Sequence, residues 1–379
     1  MSLQASQRLP LIDLLKVIAS QLIVLHHLAF YGPMADHAAP LMPRLIDWLA
    51  DPARMVVQVF LVVGGYLAAL SLTPDGDLRT PPRVLPRLFE RYLRLALPLA
   101  LALLLAMAAA ALARHWMAHP SVPLAPRPMQ FVWHLLLAQD LIGEEALSAG
   151  IWYVSIDLQL YAALLLWLAL VTAVLKGSDA VRRALPWGVV AAVAWSAMVV
   201  NRDSTWDVCA PYFFAAYGLG VLAAWARVGR SARTAFALAL LSVLFGLWLE
   251  WRDRLALATT LAVLLWAGHA IRGRLAARPA SARSIRLDGL HYLGQISYAT
   301  FLVHFSVCLV VNAAFTAFVP PLPWLQALGV LLAWGGSIAA GALFHHLAEA
   351  PLMRLVSRGK AAGWGLGRRR AETFCVPRK

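Results

Sequence analysis

The sequence predicts an all-α, polytopic integral membrane bundle of about ten transmembrane helices, with both termini on the cytoplasmic side. Three observations carry that prediction. Of 379 residues, 61% are apolar and only 14% charged, against roughly 25% charged in an ordinary globular domain. The apolar residues gather into stretches of about 20, the length that crosses a hydrocarbon core. The basic residues alternate between the joining segments: 23 of 33 Lys and Arg fall in segments that would face the cytoplasm and 7 in the opposite ones. Lys and Arg stay on the cytoplasmic side of bacterial and other membranes, so the alternation fixes an N-in, C-in topology. The formal net charge of +14 then faces the inner leaflet and is no argument for nucleic acid.

The ten stretches, in order, are 10–31, 54–73, 88–112, 151–175, 184–200, 210–226, 233–250, 255–271, 294–318 and 324–347. The first carries Asp13, Lys16, His26 and His27 within its apolar run, and no small-residue cleavage site follows, so a retained helix is expected and not a signal peptide. Segment 113–150 holds the apolar run 131–138, too short to span and expected to be interfacial or re-entrant. Residues 1–356 read as one transmembrane domain and 357–379 as a basic cytoplasmic tail. Cys209, Cys308 and Cys375 are widely spaced and form no metal or disulfide pattern, and no metal site is expected.

Ionisable side chains inside a membrane helix cost at least a few kcal/mol each and mark functional positions. On the first helix, at about 100° per residue, Asp13, Lys16, Ser20 and His27 fall within an arc of roughly 60°, with Lys16 about 16 Å along the axis from His27. His26 points about 100° away. Arg87, Arg91 and Arg94 share one face where the third helix begins, with Glu90 as an i+4 partner for Arg94. Cytoplasmic anchoring explains such a cluster; a phosphate-bearing ligand is the sharper alternative, because guanidinium forks match phosphate oxygens. On the fourth helix, Asp157 and Tyr161 lie on a face nearly opposite Trp152, Ser155 and Gln159. A carboxylate at that depth needs a partner, and a histidine is the expected one. His304 sits about 15 Å into the ninth helix. Packing explains His304 and the pair His345-His346 most simply, and Glu349 with Pro351 is expected to close the tenth helix.

These separate stretches together resemble the membrane-bound acyltransferase 3 family. Its opening Ile-Asp-Gly-Leu-Arg, with a histidine following the basic residue after ten intervening positions, resembles Ile12-Asp13-Leu14-Leu15-Lys16 and His27. Its Phe-Phe-x-x-Ser-Gly-Phe resembles Phe60-Leu61-Val62-Val63-Gly64-Gly65-Tyr66, and its Arg-x-x-Arg matches Arg91-Tyr92-Leu93-Arg94. Its Trp-x-x-Ser-x-Glu-x-Gln-x-Tyr resembles Trp152 to Tyr161, with Asp157 in the glutamate place. Its Ile-Ser-Tyr-x-x-Tyr-Leu-x-His resembles Ile296 to His304, and its Glu-x-Pro resembles Glu349-Ala350-Pro351. The departures are Lys16 for Arg, Gly64 for Ser, Asp157 for Glu and Phe301 for Tyr.

The resemblance implies an O-acyltransferase that uses acyl-coenzyme A, normally acetyl-CoA, as a donor substrate and not as a resident cofactor, and a carbohydrate hydroxyl as acceptor. It implies the bacterial inner membrane as location. On this reading Lys16, Arg87, Arg91 and Arg94 hold the donor phosphates, His27 is the general base, and Asp157 orients it. Asp13, Trp152, Tyr161 and His304 are carried as substrate contacts, and His26 is the alternative base. Two other readings compete: a transporter or lipid-linked-sugar flippase using the buried His, Asp and Lys as a path, and a non-catalytic membrane scaffold. The first would favour inverted repeats and broken helices, and neither is evident in the sequence.

Overall fold

The computed structural model describes residues 10–361, apart from 75, 77, 79–80, 176–177 and 276–283. Most of the expected tail, 362–379, lies outside the described residues. The described residues are 84% helical, with no strand among them. All ten apolar stretches are helices: α1 Pro10–Phe30, α2 Val57–Leu72, α3 Val84–Trp116, α4 Trp152–Val174, α5 Ser178–Met198, α6 Ala210–Trp225, α7 Arg230–Leu249, α8 Asp253–Leu275, α9 Ser284–Phe318 and α10 Pro323–Phe344. We call the end of the bundle where α1 starts proximal and the end where it finishes distal.

Among the described residues, eight helical segments are long and apolar enough to cross a membrane, and the chain is an integral membrane protein. Of the ten expected stretches, α6 is shorter than that measure requires. For α6 the reason is position: of its 16 residues only Pro211 and Phe214 are not buried. It measures about 24 Å at 1.5 Å per residue, short of a bilayer core of about 30 Å. It is a central post around which α2, α4, α5, α7 and α8 pack. Such close packing needs small residues. A Cβ at Gly65 of α2 would lie 2.0 Å from the Tyr217 carbonyl oxygen, and one at Gly220 of α6 would lie 2.0 Å from that of Val62. The two backbones therefore touch, and any larger residue at either glycine would force them apart.

Leu101, Leu104 and Leu105 of α3 and Leu241, Leu244 and Trp248 of α7 are exposed. In water this surface would be a liability; against lipid it is the expected periphery. At 33 residues, α3 measures about 50 Å, so its arginine-bearing first turns extend beyond the span that a bilayer needs. Segment 113–150 is ordered by the eight-residue helix Pro128–Leu135 and the turn Gln139–Ile142.

The expectation that Glu349 and Pro351 close the last helix is corrected. After Phe344 the chain makes a π-helical turn, His345–Glu349, and continues as the helix Ala350–Ala361. The wider turn relaxes the local backbone ladder, and Pro351 falls at the second residue of the new helix, where the amide hydrogen it lacks has no required partner.

Candidate active site

The site is built where α9 packs against α1. His27 and His304, 6% and 0% exposed, meet with Nδ1 of His27 2.6 Å from Nε2 of His304. The rings are 10° from parallel with centroids 4.8 Å apart. That separation is close to the nitrogen contact plus one ring radius on each side. The nitrogens thus lie on the line between the centroids, and the contact is edge to edge, in the plane where imidazole lone pairs and N–H bonds point.

A second bond fixes which nitrogen carries the hydrogen. Nδ1 of His304 is 2.6 Å from the Phe301 carbonyl oxygen. A carbonyl oxygen only accepts, so this Nδ1 is protonated, and in the uncharged ring Nε2 is then the acceptor. His27 must donate its Nδ1–H, which leaves the lone pair on its Nε2. The sequence suggested Asp157 as the orienting partner; the structure puts His304 there. His304 in turn has both nitrogens engaged within the protein, so its expected substrate contact is replaced by a contact to His27. His26, the alternative base, bonds the Leu49 carbonyl through Nδ1 at 2.9 Å.

His27 lines a cavity of about 650 Å³ at the distal end, together with Gln58, Ser148, Trp152, Tyr153 and Phe301. Its aromatic wall is assembled across elements: Trp152 stacks on Phe213 at 5.3 Å, and Tyr153 meets Phe301 edge-on at 6.0 Å. Gly150, at φ +79°, closes this wall against the imidazole. A Cβ there would come 3.1 Å from the Phe301 ring and 3.3 Å from Cε1 of His27.

Asp157, 4% exposed, lies at the α3–α4 seam. Its Oδ2 accepts from Nε and Nη2 of Arg91 at 3.1 and 2.6 Å. The Arg91 guanidinium also sits 5.4 Å from the Tyr161 ring centroid, and Arg87 bonds the Tyr161 hydroxyl. Arg87 and Arg91 are one turn apart on α3, and Asp157 and Tyr161 one turn apart on α4, so two antiparallel helices pair them rung by rung. A buried carboxylate is stable only beside a cation, and α3 supplies the nearest. Arg94, half-exposed, pairs with Glu90 at 2.9 Å.

Towards the proximal end Lys16 feels the charges of Asp13, Arg91 and Glu349. Asp13 accepts from Nδ1 of His291 at 2.9 Å and is thereby engaged within the protein. The polar residues trace a column through the bundle, from His27 and His304 past Tyr153, Asp157 and Arg91 to Lys16 and Asp13.

The distal segment is pinned by His134, 0% exposed. Its Nδ1–H donates to the Gln130 carbonyl at 2.7 Å, and its Nε2 accepts the Leu147 amide hydrogen at 3.2 Å. Burial lowers its pKa below the usual histidine value. Burial raises the carboxyl of Asp140, with Asp207 nearby adding to the shift.

Sequence reasoning missed Gln58, Ser148, Gly150 and His291. Gln58 is an isolated polar residue in an otherwise apolar run and carried the signal that singled out Lys16. Ser148 and Gly150 stand in a loop, where neither period nor depth marks them.

Fold and site together define a class: a polytopic helical membrane protein whose interior holds a hydrogen-bonded histidine pair beside a cavity. The chain belongs to the acyltransferase 3 family, whose acyltransferase domain model matches residues 9–342. It is a membrane acyltransferase, an acyl-transfer enzyme. No curated protein and no solved structure matches it.

Proposed function

We propose that the protein is an O-acyltransferase of the bacterial inner membrane. It moves an acyl group, acetyl being the simplest, from cytoplasmic acyl-coenzyme A to a hydroxyl of a cell-envelope carbohydrate. The observation that carries this reading is the chain His27–His304–Phe301 carbonyl, which leaves a basic lone pair on Nε2 of a histidine that lines a cavity. Nε2 of His27 takes the acceptor hydroxyl proton as the oxygen attacks the thioester carbonyl. The imidazolium that forms is stabilised through its Nδ1–H by Nε2 of His304, the part a carboxylate plays in a hydrolase triad. Collapse of the tetrahedral intermediate breaks the carbon–sulfur bond, and the proton passes on to the departing thiolate.

Lys16, Arg87, Arg91 and Arg94 are assigned to the donor phosphates. What supports this is their grouping on α1 and α3 on the proximal side, where charge repays recognition of a polyanion. Asp157 holds Arg91 in place and keeps a buried guanidinium from standing alone. Asp13, Trp152 and Tyr161 remain proposed substrate contacts, of which Trp152 lines the cavity. Nothing in the structure favours the transport reading or the scaffold reading over this one.

The test uses purified protein in lipid nanodiscs with acetyl-labelled acetyl-CoA, following thiol release and label transfer. General-base assistance is worth about 10²–10⁴-fold, and His27→Ala is expected to lose that much rate while keeping the wild-type melting temperature. A folded variant with near-normal rate would remove His27 from the mechanism.

A further inference from the structure

Two side chains that line the distal cavity have polar groups that bond nothing among the described residues. Ser148 is 4% exposed, and its Oγ has no partner among the described residues. Gln58 is 5% exposed; its side-chain amide bonds none of the described residues and, unlike the Ser148 hydroxyl, is not sealed off, since it opens on the cavity. Both line the cavity that His27 lines. They come from different elements, the first turn of α2 and the loop before α4. The loop is held by the bond from the Leu147 amide to His134, one residue before Ser148.

A buried polar group without a partner is destabilising, since it loses its water and gains nothing. One such hydroxyl beside an amide that opens unbonded on the same cavity is best explained by a ligand that supplies the missing bonds. The chemistry of the pair narrows the ligand. An amide and a hydroxyl both donate and accept and neither is charged, so they match neutral hydroxyls better than a phosphate or an ammonium. Trp152, Phe213 and Tyr153 back the same space with flat apolar faces.

We propose that Gln58 and Ser148 form the hydroxyl-reading part of the acceptor subsite, and that the acceptor is a ring carrying at least two hydroxyls. One hydroxyl gives its proton to His27; its neighbours bond Gln58 and Ser148. The proposal rests on the O-acyltransferase reading and adds to it the residues that choose the acceptor. They act on binding and leave the donor half of the reaction untouched.

The experiment compares octyl β-D-glucopyranoside with 1-octanol as acceptor for labelled acetyl-CoA, using nanodisc-held wild type, Gln58→Leu and Ser148→Ala. Thiol release without added acceptor is measured alongside. Wild type is expected to prefer the glucoside by at least tenfold in kcat/KM. Each variant should raise the glucoside KM by about tenfold, with octanol transfer and acceptor-free thiol release unchanged. Ser148→Ala deletes an oxygen that bonds nothing in the protein, so it should melt at or above the wild-type temperature. A merely structural serine would move neither KM nor preference. Unchanged glucoside KM in both variants overturns the proposal. No thiol release by wild type overturns the parent reading instead, and this proposal with it.

Discussion

In the proposed reaction a single imidazole tautomer decides the chemistry at the residue scale. Histidine is useful as a base only when the correct nitrogen holds the lone pair, and here a backbone carbonyl two hydrogen bonds away makes that choice. His304→Gln keeps an acceptor for the Nδ1–H of His27, whereas His304→Phe removes it. We expect His304→Phe to lose about 10²-fold in kcat, the order that follows a misplaced catalytic group, and His304→Gln to recover most of that. The readout is kcat measured on variants matched for melting temperature; equal losses in both would assign His304 to packing alone. The sequence made His27 and His304 visible separately, because each is a polar residue where lipid forbids one. It did not show their partnership. Pairing depends on how α9 rotates against α1, and helical periodicity on one helix carries no information about the other. Asp157 was assigned a histidine partner where the structure gives Arg91, for the same reason: its depth was legible and the facing side of α3 was not.

The alternation of apolar and basic stretches made the helices themselves legible, because a bilayer imposes both length and charge placement on every crossing. What escaped was α6, whose short span makes sense only once its neighbours enclose it, and the unbroken course of the chain through Pro351. The connection 113–150 illustrates a further limit. Its fold is held in part by one buried histidine, His134, which serves as donor on one side and acceptor on the other and so must be uncharged. Its pKa is lowered by burial, and an unfolded histidine titrates near 6.5. The unfolded state therefore binds the proton more readily, and the stability His134 contributes is present above pH 6.5 and is lost as pH falls below it. Hydrogen exchange at residues 130–150, corrected for intrinsic rates, should accelerate between pH 7.5 and pH 5.5. His134→Gln should flatten that dependence, and a segment equally protected at both pH values would refute the role of the ring.

For the whole molecule, fold and function meet in its polarity across the membrane. The proposed reaction needs its donor on one face and its acceptor on the other, so it stands or falls with the orientation that the 23 to 7 division of basic residues implies. The native cysteines offer a direct measurement. Cys209 lies in the distal connection before α6, half-buried, with its thiol 3.2 Å from the Trp206 carbonyl. Cys308 is buried within α9, and Cys375 belongs to the basic tail expected in the cytoplasm. A membrane-impermeant maleimide applied to intact cells should label Cys209 and spare Cys375 until the membrane is opened; single-cysteine variants identify each product. Burial pushes the Cys209 thiol above its ordinary value, and the thiolate is the reacting species. Labelling should therefore be slow at pH 7 and quicken by about tenfold per pH unit while pH stays below that pKa. A cell that labels Cys375 and not Cys209 would have its bundle inverted. The Lys16 and arginine end of the bundle would then face away from coenzyme A, and a hydroxyl-reading cavity would face a compartment with no envelope glycan to bind.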